Sequence, residues 1–328
     1  MHVSAPGKLM LLGEHAVVHG HPCLVTAMDA RLHMALAWAE GDRLVIQAPD
    51  VGVDEVRGKV STALADGVAL ARGTRFIESA IKEFREEFGL ERGLSIETRS
   101  DFSSQFGLGS SSATVACTLF GLAKLAGIEV EAKRLFDLGK KAILRVQKTG
   151  SGYDLAAAIF GGTLYYCLGK RDVQIEPLNV AQPPLVVAYS GIKADTATYI
   201  GRVQQRLDAW PGLAHELFGM MHRIVINGRS AIEHGEWGPL GELMDMQHGL
   251  LHALGVDTAE TARLVFAART AGAYGAKLSG AGGGDCMIAL AADEQRGDVE
   301  AALEAAGGQI LAINSNAQGV RVETEGIF

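Results

Sequence analysis

The chain has 328 residues, which is enough for two domains with separate hydrophobic cores. Apolar residues make up 48% and charged residues 21%, the balance of a soluble globular protein, and no apolar run reaches the roughly 18 residues of a membrane-spanning helix. The formal net charge of −8 argues against nucleic acid or an anionic membrane as the main partner.

The cysteines and the first residues indicate which cofactors and which cell compartment to expect. Cys23, Cys117, Cys167 and Cys286 are far apart and form no CxxC pair, so the sequence predicts neither a zinc site nor a disulfide framework. The chain begins with MHVSAPGK, without the basic region and apolar run of a secretory signal. We therefore expect a cytoplasmic protein.

Short apolar runs predict several strands in the first half of the chain. These strands cover residues 2–5, 24–27, 31–39, 43–47, 93–98 and 163–167; a turn at Pro6-Gly7 ends the first, and a brief apolar run at 9–12 follows the turn. Apolar residues at helical spacing predict helices at 75–88, 110–126, 131–147 and 154–160.

Long helical patterns dominate the second half. A predicted strand at 185–189 precedes helices at 194–208, 213–234, 236–253 and 258–271, and a strand at 286–290 precedes a helix at 293–306. Because strands and helices do not alternate one for one, the pattern favours an α+β fold over a doubly wound sheet. A change in character near Pro183-Pro184 places the domain boundary between residues 170 and 184, and we divide the chain into 1–175 and 176–328.

The stretch FGLGSSSATVAC, residues 106–117, combines a glycine turn with the start of a helix. Backbone N–H groups at a helix start lack intrahelical acceptors, and the helix dipole adds positive potential. Serine hydroxyls add donors to phosphate or an oxygen ligand for Mg²⁺. The stretch therefore indicates either a cradle for nucleotide phosphates or an ordinary serine-capped helix.

Two common phosphate-binding motifs are absent. No Lys follows the glycines, as the GxxxxGK[ST] loop requires, and Ser112 stands where a dinucleotide fingerprint needs its third Gly. A phosphate site here requires a different fold.

The segment of residues 5–22 places charged side chains in apolar surroundings. Lys8 follows Pro-Gly, and Glu14-His15 interrupts a second apolar run. A lysine in this position offsets charge on a substrate or phosphoryl oxygen; alternatively it extends to the surface, and Glu14-His15 belongs to a turn.

Two later segments complete the set. Asp154 follows a Gly-Ser-Gly turn at a helix start, where it is either a cap or a base that accepts a hydroxyl proton in phosphoryl transfer. The glycine run 280–284 between two strands indicates either close backbone approach or a flexible hairpin. A phosphate loop, a lysine, a carboxylate and a second glycine loop together are the parts of a kinase.

In this combination the segments resemble the GHMP kinase superfamily. Its three motifs are similar to PGKLMLLGEH (6–15), GLGSSSA (107–113) and KLSGAGGGDC (277–286), in the same order. The resemblance covers essentially the whole chain. It implies a two-domain α+β fold, in which the N-terminal domain resembles ribosomal protein S5 domain 2 and contains a left-handed βαβ unit. The C-terminal domain is implied to be ferredoxin-like, with ATP and substrate between the two domains.

Within the superfamily, GEHAVVHGHP (13–22) and LMDMQHGLLHALGVDTAE (243–260) resemble mevalonate kinases, whereas galactokinases continue with GEHTDY. The resemblance implies substrate-binding roles for Lys8, Glu14, His15, Asp154 and Thr196. Asp154 is the implied catalytic base, and Lys8 is the implied catalytic lysine that keeps it ionised. The implied ATP-binding residues are Gly107, Leu108, Gly109, Ser110, Ser111, Ser112, Ala113, Gly280, Ala281, Gly282 and Gly283. Ser111 is also the implied Mg²⁺ ligand.

Three departures separate the chain from mevalonate kinases. The run before Asp154 is TGSGYD instead of a Pro-Ser-Gly sequence, and Ile143 stands where a magnesium-binding Glu is usual. Asp285 replaces the last glycine of the third motif. The GSGYD and GGGDC forms are more similar to phosphomevalonate kinases.

The resemblance implies ATP- and Mg²⁺-dependent phosphorylation of the C5 hydroxyl of mevalonate, in a protein that is often a homodimer and binds neither nucleic acid nor membrane. Phosphomevalonate kinase is the alternative enzyme; it needs extra cations, for which the candidates are His15, Arg145, Lys148 and Lys193. A non-catalytic nucleotide- or sugar-binding regulator is the alternative outside the enzymes.

Overall fold

The computed structural model describes residues 1–63, 73–90, 92–147, 150–169 and 172–324. Within these ranges the strands are β1 His2–Leu12, β2 Pro22–Ala39, β3 Arg43–Ala48, β4 Val53–Lys59, β5 Gly93–Ser100, β6 Thr163–Leu168, β7 Val173–Leu178, β8 Leu185–Tyr189, β9 Gly275–Leu278, β10 Cys286–Leu290, β11 Gln309–Leu311 and β12 Arg321–Val322. The α-helices are α1 Val60–Ala63, α2 Arg75–Phe88, α3 Ser110–Ala126, α4 Ala132–Gln147, α5 Tyr153–Phe160, α6 Thr196–Ala209, α7 Pro211–Glu233, α8 Trp237–Ala253, α9 Ala259–Thr270 and α10 Asp293–Ala305.

The first sheet contains the N-terminal strands in the order β12-β1-β2-β5-β3-β4, with β6 paired to β2 and β7 to β6. Its neighbours are antiparallel except for β3 and β5, which are parallel and are connected through β4 and the helices α1 and α2. The parallel pair requires a crossover, and α2 supplies one. The left-handed sense of this βαβ connection stays a prediction.

Strand β1 runs through Pro6-Gly7, so the predicted turn there is wrong. Proline is accepted because β12 pairs only with Val3 and Ser4 and leaves the far side of Pro6 without a strand. A register shift against β2 lies between Pro6 and Lys8. Such a bulge redirects side chains, and here it brings Lys8 out of the regular alternation.

Strand β2 is also continuous, although the sequence predicts two strands separated at residues 28–30. The apolar pattern breaks at Asp29, whose carboxylate accepts hydrogen bonds from the backbone N–H and the side chain of Asn314, each at 2.7 Å. The first half of β2 pairs with β6 and the second half with β5. A polar residue on this strand is satisfied by a distant loop, which sequence periodicity does not reveal.

The second sheet is antiparallel with the order β11-β8-β10-β9. Its elements follow the chain as strand, helices, two strands, helix and strand, and the spatial order of the four strands is 4-1-3-2. This is the arrangement expected for the implied ferredoxin-like unit.

The predicted long helices are confirmed, with ends that agree or differ by at most two residues. Helices α2 to α5 bury their apolar faces on the first sheet, in a core that includes Phe84 and Phe136. A second core, which includes Leu12 and Ile288, joins strands of both sheets to α7 and α8. The two sheets are therefore connected through buried apolar contacts.

The predicted domain boundary after residue 175 falls inside β7, which pairs with β6 of the first sheet. A division after Leu178 keeps that strand whole, and the two-residue strand β12 returns to the first sheet at the end of the described chain. The division into residues 1–175 and 176–328 stays a prediction. Among the described residues, no helix combines the length and the apolar character needed to cross a membrane.

Candidate active site

The phosphate-loop candidate is an open helix start. Gly107 and Gly109 have φ values of 70° and 87°, which favour glycine, and α3 begins directly afterwards at Ser110. No side chain caps this first turn. Ser110 and Ser111 are half-buried and Ser112 is buried, so the helix start has hydroxyl groups and uncapped backbone donors in the same place.

Lys8 reaches this loop from β1. Its backbone N–H donates to Leu108 O at 2.9 Å and its ammonium donates to Gly107 O at 3.0 Å. The ammonium also lies 5.7 Å from the centre of the Tyr153 ring, within cation–π range. Only 6% of Lys8 is exposed, so the alternative of a lysine extending to the surface is wrong.

Asp154 approaches the same loop from the other side. It is the second residue of α5, after Gly152 with φ 89°, and its carboxylate accepts from the N–H of Leu155 at 3.2 Å. A Cβ built on Gly109 would lie 3.8 Å from the Asp154 Cβ and 3.1 Å from the Lys8 Cγ. The lysine, the carboxylate and the helix start therefore converge at Gly109.

The expected direct pairing of Lys8 with Asp154 is not present in the arrangement described. Neither residue forms an ion pair with the other, and the partners of the ammonium are a carbonyl and an aromatic ring. Among the described residues Lys8 forms no ion pair, although its charge acts on the nearby Asp285 carboxylate, so the buried ammonium can still bind an anionic ligand.

Glu14 differs from its implied position on the substrate side. Its side chain is 1% exposed and forms an ion pair with the fully buried ammonium of Lys277. Gln247 donates to its second oxygen at 3.4 Å. Burial raises the pKa of Glu14, and the adjacent Lys277 acts in the opposite direction. We assign Glu14 to a buried ion pair that joins β1 to β9.

His15 follows in a strained conformation, with a φ of 59° that few residues with a side chain adopt. Its Nε2–H donates to Ala281 O at 2.9 Å. Burial lowers the pKa of His15, which favours the neutral imidazole. The strained backbone is therefore fixed by a contact with the third motif.

The glycine run of the third motif is held by close packing. A Cβ on Gly282 would be 2.3 Å from Val256 O, and one on Gly283 would be 2.0 Å from a ring carbon of Tyr199. A Cβ on Gly280 would meet nothing within 4 Å. Two glycines therefore allow contact with neighbouring segments, which contradicts the flexible-hairpin alternative, and Gly280 faces open space.

Three functional candidates in the third motif escaped sequence reasoning. Lys277 pairs with Glu14, and Ser279 Oγ bonds both the N–H and the carbonyl of Met10 at 3.0 Å. Asp285 has a φ of 55°, and one carboxylate oxygen accepts from Ala194 N–H at 2.9 Å. The available signal was a set of polar residues that flank the glycines, with Lys277 inside the buried strand β9 and Ser279 and Asp285 next to strand ends.

Asp285 also borders the phosphate loop. A Cβ on Gly107 would be 2.2 Å from the free oxygen of its carboxylate, so Gly107 is required there by close approach. Burial raises the pKa of Asp285, and Lys8 and Lys193 act to lower it. The residue that departs from the family pattern thus lies beside the first two motifs.

Thr196 is exposed at the start of α6, after Asp195, whose side chain caps the helix through Thr198 N–H. The preceding loop is joined to the third motif because Asp285 N–H donates to Ile192 O at 2.7 Å. Lys193 donates to Ser104 O at 2.7 Å. This loop therefore spans from the third motif to the segment before the phosphate loop.

Two further expectations have plain outcomes. Ile143 is 7% exposed and belongs to the core of the first sheet, so it contributes no oxygen where a magnesium-binding Glu is usual. All four cysteines are free, as the lack of a disulfide pattern indicated.

Two family models match the chain. The GHMP kinases N terminal domain covers residues 75–162, and the model described as GHMP kinases C terminal covers residues 229–309. The mevalonate kinase of Pyrococcus abyssi is 36% identical over 330 residues, an alignment that covers 98% of this chain and 97% of that protein. The chain belongs to the GHMP kinase family.

Solved structures agree with this assignment at the level of the fold. A Lin0012 protein from Listeria innocua matches this GHMP kinase with a TM-score of 0.87 at 21% identity and covers 99% of both chains. The L. major mevalonate kinase in complex with R-mevalonate matches with a TM-score of 0.77 at 24% identity, covering 96% of this chain and 95% of its own. The predicted two-domain α+β GHMP kinase fold is confirmed.

Proposed function

We propose that this GHMP kinase transfers the γ-phosphoryl group of ATP to the C5 hydroxyl of mevalonate and so forms 5-phosphomevalonate. The similarity to the Pyrococcus abyssi mevalonate kinase over nearly the whole length carries this proposal. The convergence of Lys8, Asp154 and the start of α3 supports it, because these are the groups that phosphoryl transfer needs.

Asp154 accepts the proton of the attacking hydroxyl. Its carboxylate bonds Leu155 N–H and is otherwise half-exposed toward Gly109, where the phosphate chain would end. Lys8 offsets negative charge on the attacking oxygen and the transferred group, since its own charge is buried without a carboxylate partner among the described residues. In a loose transition state, positioning and electrostatics supply most of the acceleration.

ATP lies with its phosphates along Gly107 to Ala113, against the uncapped first turn of α3. The glycine run 280–283 contacts His15 through Ala281 O, and Asp285, which follows the run, lies beside Gly107. The donor set fits Mg²⁺ through the Ser111 hydroxyl and phosphate oxygens, which are the hard oxygen ligands that this ion prefers. When bound, Mg²⁺ neutralises charge on the phosphates.

The substrate side is formed by His15 and Thr196. The strained backbone of His15 and its bond to Ala281 support its role, and the exposed position of Thr196 at the start of α6 supports that of Thr196. Glu14 does not contact the substrate in this proposal, because it is buried in an ion pair with Lys277 and a ligand has no access to it.

The alternative substrate, 5-phosphomevalonate, is less well supported. Among its candidate cations, Arg145 is bound to Glu83 and Glu86 of α2, and Lys148 lies outside the described residues. Lys193 donates to a backbone carbonyl. The presence of Lys8 and Asp154 at one point also speaks against a non-catalytic regulator, which has no need of a base.

A coupled ADP-release assay tests the proposal with mevalonate, 5-phosphomevalonate, galactose and homoserine side by side. Mevalonate should give a kcat/KM at least about tenfold above the others, as a site built around one acceptor discriminates. A preference for 5-phosphomevalonate would establish the alternative enzyme. Nucleotide binding without turnover of any acceptor would establish the regulator.

We further propose that the enzyme works in the cytoplasm as a homodimer, without nucleic acid or membrane as a partner. The family resemblance supports the dimer, and the net charge of −8 supports the exclusion of anionic partners. Sedimentation of the pure protein measures whether it is a dimer.

A further inference from the structure

A group of histidines lies outside the phosphoryl-transfer site, where the segment after His15 meets helix α7. Phe218 is at its centre: the His19 ring stacks on it with centroids 4.6 Å apart, and the His21 ring lies 5.9 Å away. His215 and His222 stand on the same face of α7, at spacings of three and four residues from Phe218. Two imidazoles thus lie against the Phe218 ring, and two more stand on the same face of α7.

Two of these imidazoles present nitrogen atoms to each other. His21 Nδ1 and His222 Nδ1 are 3.4 Å apart, and the ring planes are nearly perpendicular at 81°. This distance is long for a hydrogen bond from N–H. Two nitrogens bound to one tetrahedral Zn²⁺ at about 2.0–2.1 Å are about 3.3–3.4 Å apart. The distance between the two Nδ1 atoms is therefore the distance expected for two nitrogens that bind one metal ion.

A ligating imidazole must have an unprotonated nitrogen, so a metal ion bound here competes with protons for His21 and His222.

We propose that His21 and His222 bind a divalent transition-metal ion of the zinc type through their Nδ1 atoms. The described residues contain no group of three or more His, Cys, Asp or Glu side chains arranged to hold a metal, so water completes the coordination. His21 and His222 are both half-buried, which leaves that water access. The inference is independent of the proposed kinase reaction.

Binding there connects the segment after His15 to helix α7. The segment 16–22 follows directly from His15, and α7 packs against β1 and β2. A metal bridge between His21 and His222 holds the segment against the helix in the folded state only, so it stabilises the protein in proportion to RT ln(1 + [Zn²⁺]/Kd).

One competing ligand is close. The Cys167 thiol is half-buried and lies 3.7 Å from Gly20 O, beside His21. Burial raises its pKa, so the thiol form is favoured over the metal-binding thiolate. A Cys167→Ser variant separates thiol binding from histidine binding.

The test is titration of the nucleotide-free protein with ZnCl₂ in a non-chelating buffer, followed by calorimetry. We expect one ion per chain in the intact protein and in Cys167→Ser. His21→Gln and His222→Gln should each weaken binding about tenfold or more. His234→Gln, at the exposed end of α7, is the matched control and should bind as the intact protein does.

Far-UV circular dichroism without metal establishes that each variant is folded, and Co²⁺ provides a second readout through the visible absorption of a nitrogen-bound ion. Unchanged stoichiometry and affinity in the double variant His21→Gln/His222→Gln would overturn the proposal. Loss of the site in Cys167→Ser would overturn it as well. ADP release by the metal-free histidine variants should equal that of the intact protein, since neither residue touches the phosphoryl-transfer site.

Discussion

The buried lysines Lys8 and Lys277 differ in what neutralises their charge. Lys277 is fully buried, and its charge is compensated by Glu14. The Lys8 ammonium is almost as buried, but in the described part of the chain it donates to Gly107 O, faces the Tyr153 ring and forms no ion pair. Burying a charge destabilises the folded protein unless an opposite charge compensates it. A bound anion would therefore stabilise the folded state through Lys8. At the scale of single residues, this difference distinguishes a ligand-binding cation from a structural one.

Asp154→Asn tests the base. The amide keeps the size of the side chain but accepts no proton, so kcat should fall by about 10²–10⁴-fold with the affinity for ATP nearly unchanged. Steady-state kinetics and nucleotide titration measure the two quantities. Asp137→Asn, at an exposed ion pair with Lys133 on α4, is the control. A kcat within a few-fold of the intact protein would mean that Asp154 acts mainly through its charge or its position.

Lys277→Met tests the buried pair. The variant leaves the Glu14 carboxylate buried without its cation, which should lower the free energy of unfolding by about 3–5 kcal/mol. The double variant Lys277→Met/Glu14→Gln removes both charges and should recover a large part of that loss. Lys124→Met, at an exposed pair with Glu129, should change stability by less than about 1 kcal/mol. Urea unfolding measures all three, and a double variant no more stable than Lys277→Met would contradict the ion-pair account.

At the scale of elements, α3 shows how glycine serves two different purposes. Gly109 precedes the helix with φ 87°, and Gly127 ends it with φ 70°. Gly127 has open space around it, whereas Gly109 lies against the Lys8 side chain. Both positions need glycine for the left-handed backbone, and only Gly109 also needs it for close approach.

The pair Gly109→Ala and Gly127→Ala separates these purposes. Both variants should lose about 1–2 kcal/mol of stability from the left-handed backbone. Gly109→Ala also displaces Lys8 or the helix start, so its kcat/KM for ATP should fall about tenfold or more, because small misplacements are costly in catalysis. Gly127→Ala should keep the kinetics of the intact protein. Equal kinetic losses in both variants would show that helix stability, not contact at Gly109, controls the site.

At the scale of the whole molecule, three polar contacts join the two sheets near the site. Met10 bonds Ser279, Glu14 pairs with Lys277, and His15 donates to Ala281. All three join the first motif to the third. The position of the substrate side therefore depends on how the two sheets are held together, and not on either one alone.

Stability should depend on pH through buried histidine. Burial lowers the pKa of His248 to about 4, although the Asp257 carboxylate 3.5 Å from its Nε2 acts in the opposite direction. Its Nδ1 is buried without a partner, so protonation there would leave an unsatisfied N–H. Between pH 6.5 and about 4 the unfolded chain binds the proton and the folded chain does not. The free energy of unfolding should therefore decrease as the pH is lowered from 6.5 to about 4. This histidine contributes up to about 1.4 kcal/mol per pH unit to that decrease.

Urea unfolding across this pH range measures the slope. His248→Gln should reduce the slope, and His234→Gln, at an exposed position, should leave it unchanged. Burial lowers the pKa of His15 in the same direction, so part of the slope should persist in His248→Gln. An identical slope in the intact protein and His248→Gln would assign the pH dependence to other groups.

The sequence by itself determined the helices, the α+β class and the three glycine-associated segments. Helical periodicity in α2 to α5 and the open helix start at Gly109 are local properties, since spacing and missing Cβ atoms act within a few residues. The resemblance of three ordered motifs was enough to predict the family, which the comparisons confirm.

Only the tertiary structure decided which of these charges are buried in ion pairs and which are not. Pro6-Gly7 indicates a turn by local rules, but pairing with β2 and the short reach of β12 made it a bulge that directs Lys8 to the phosphate loop. Glu14 matched the family pattern for substrate binding, and a lysine 263 residues away made it structural. Burial and ion pairing depend on residues distant in sequence, so no local pattern contains them.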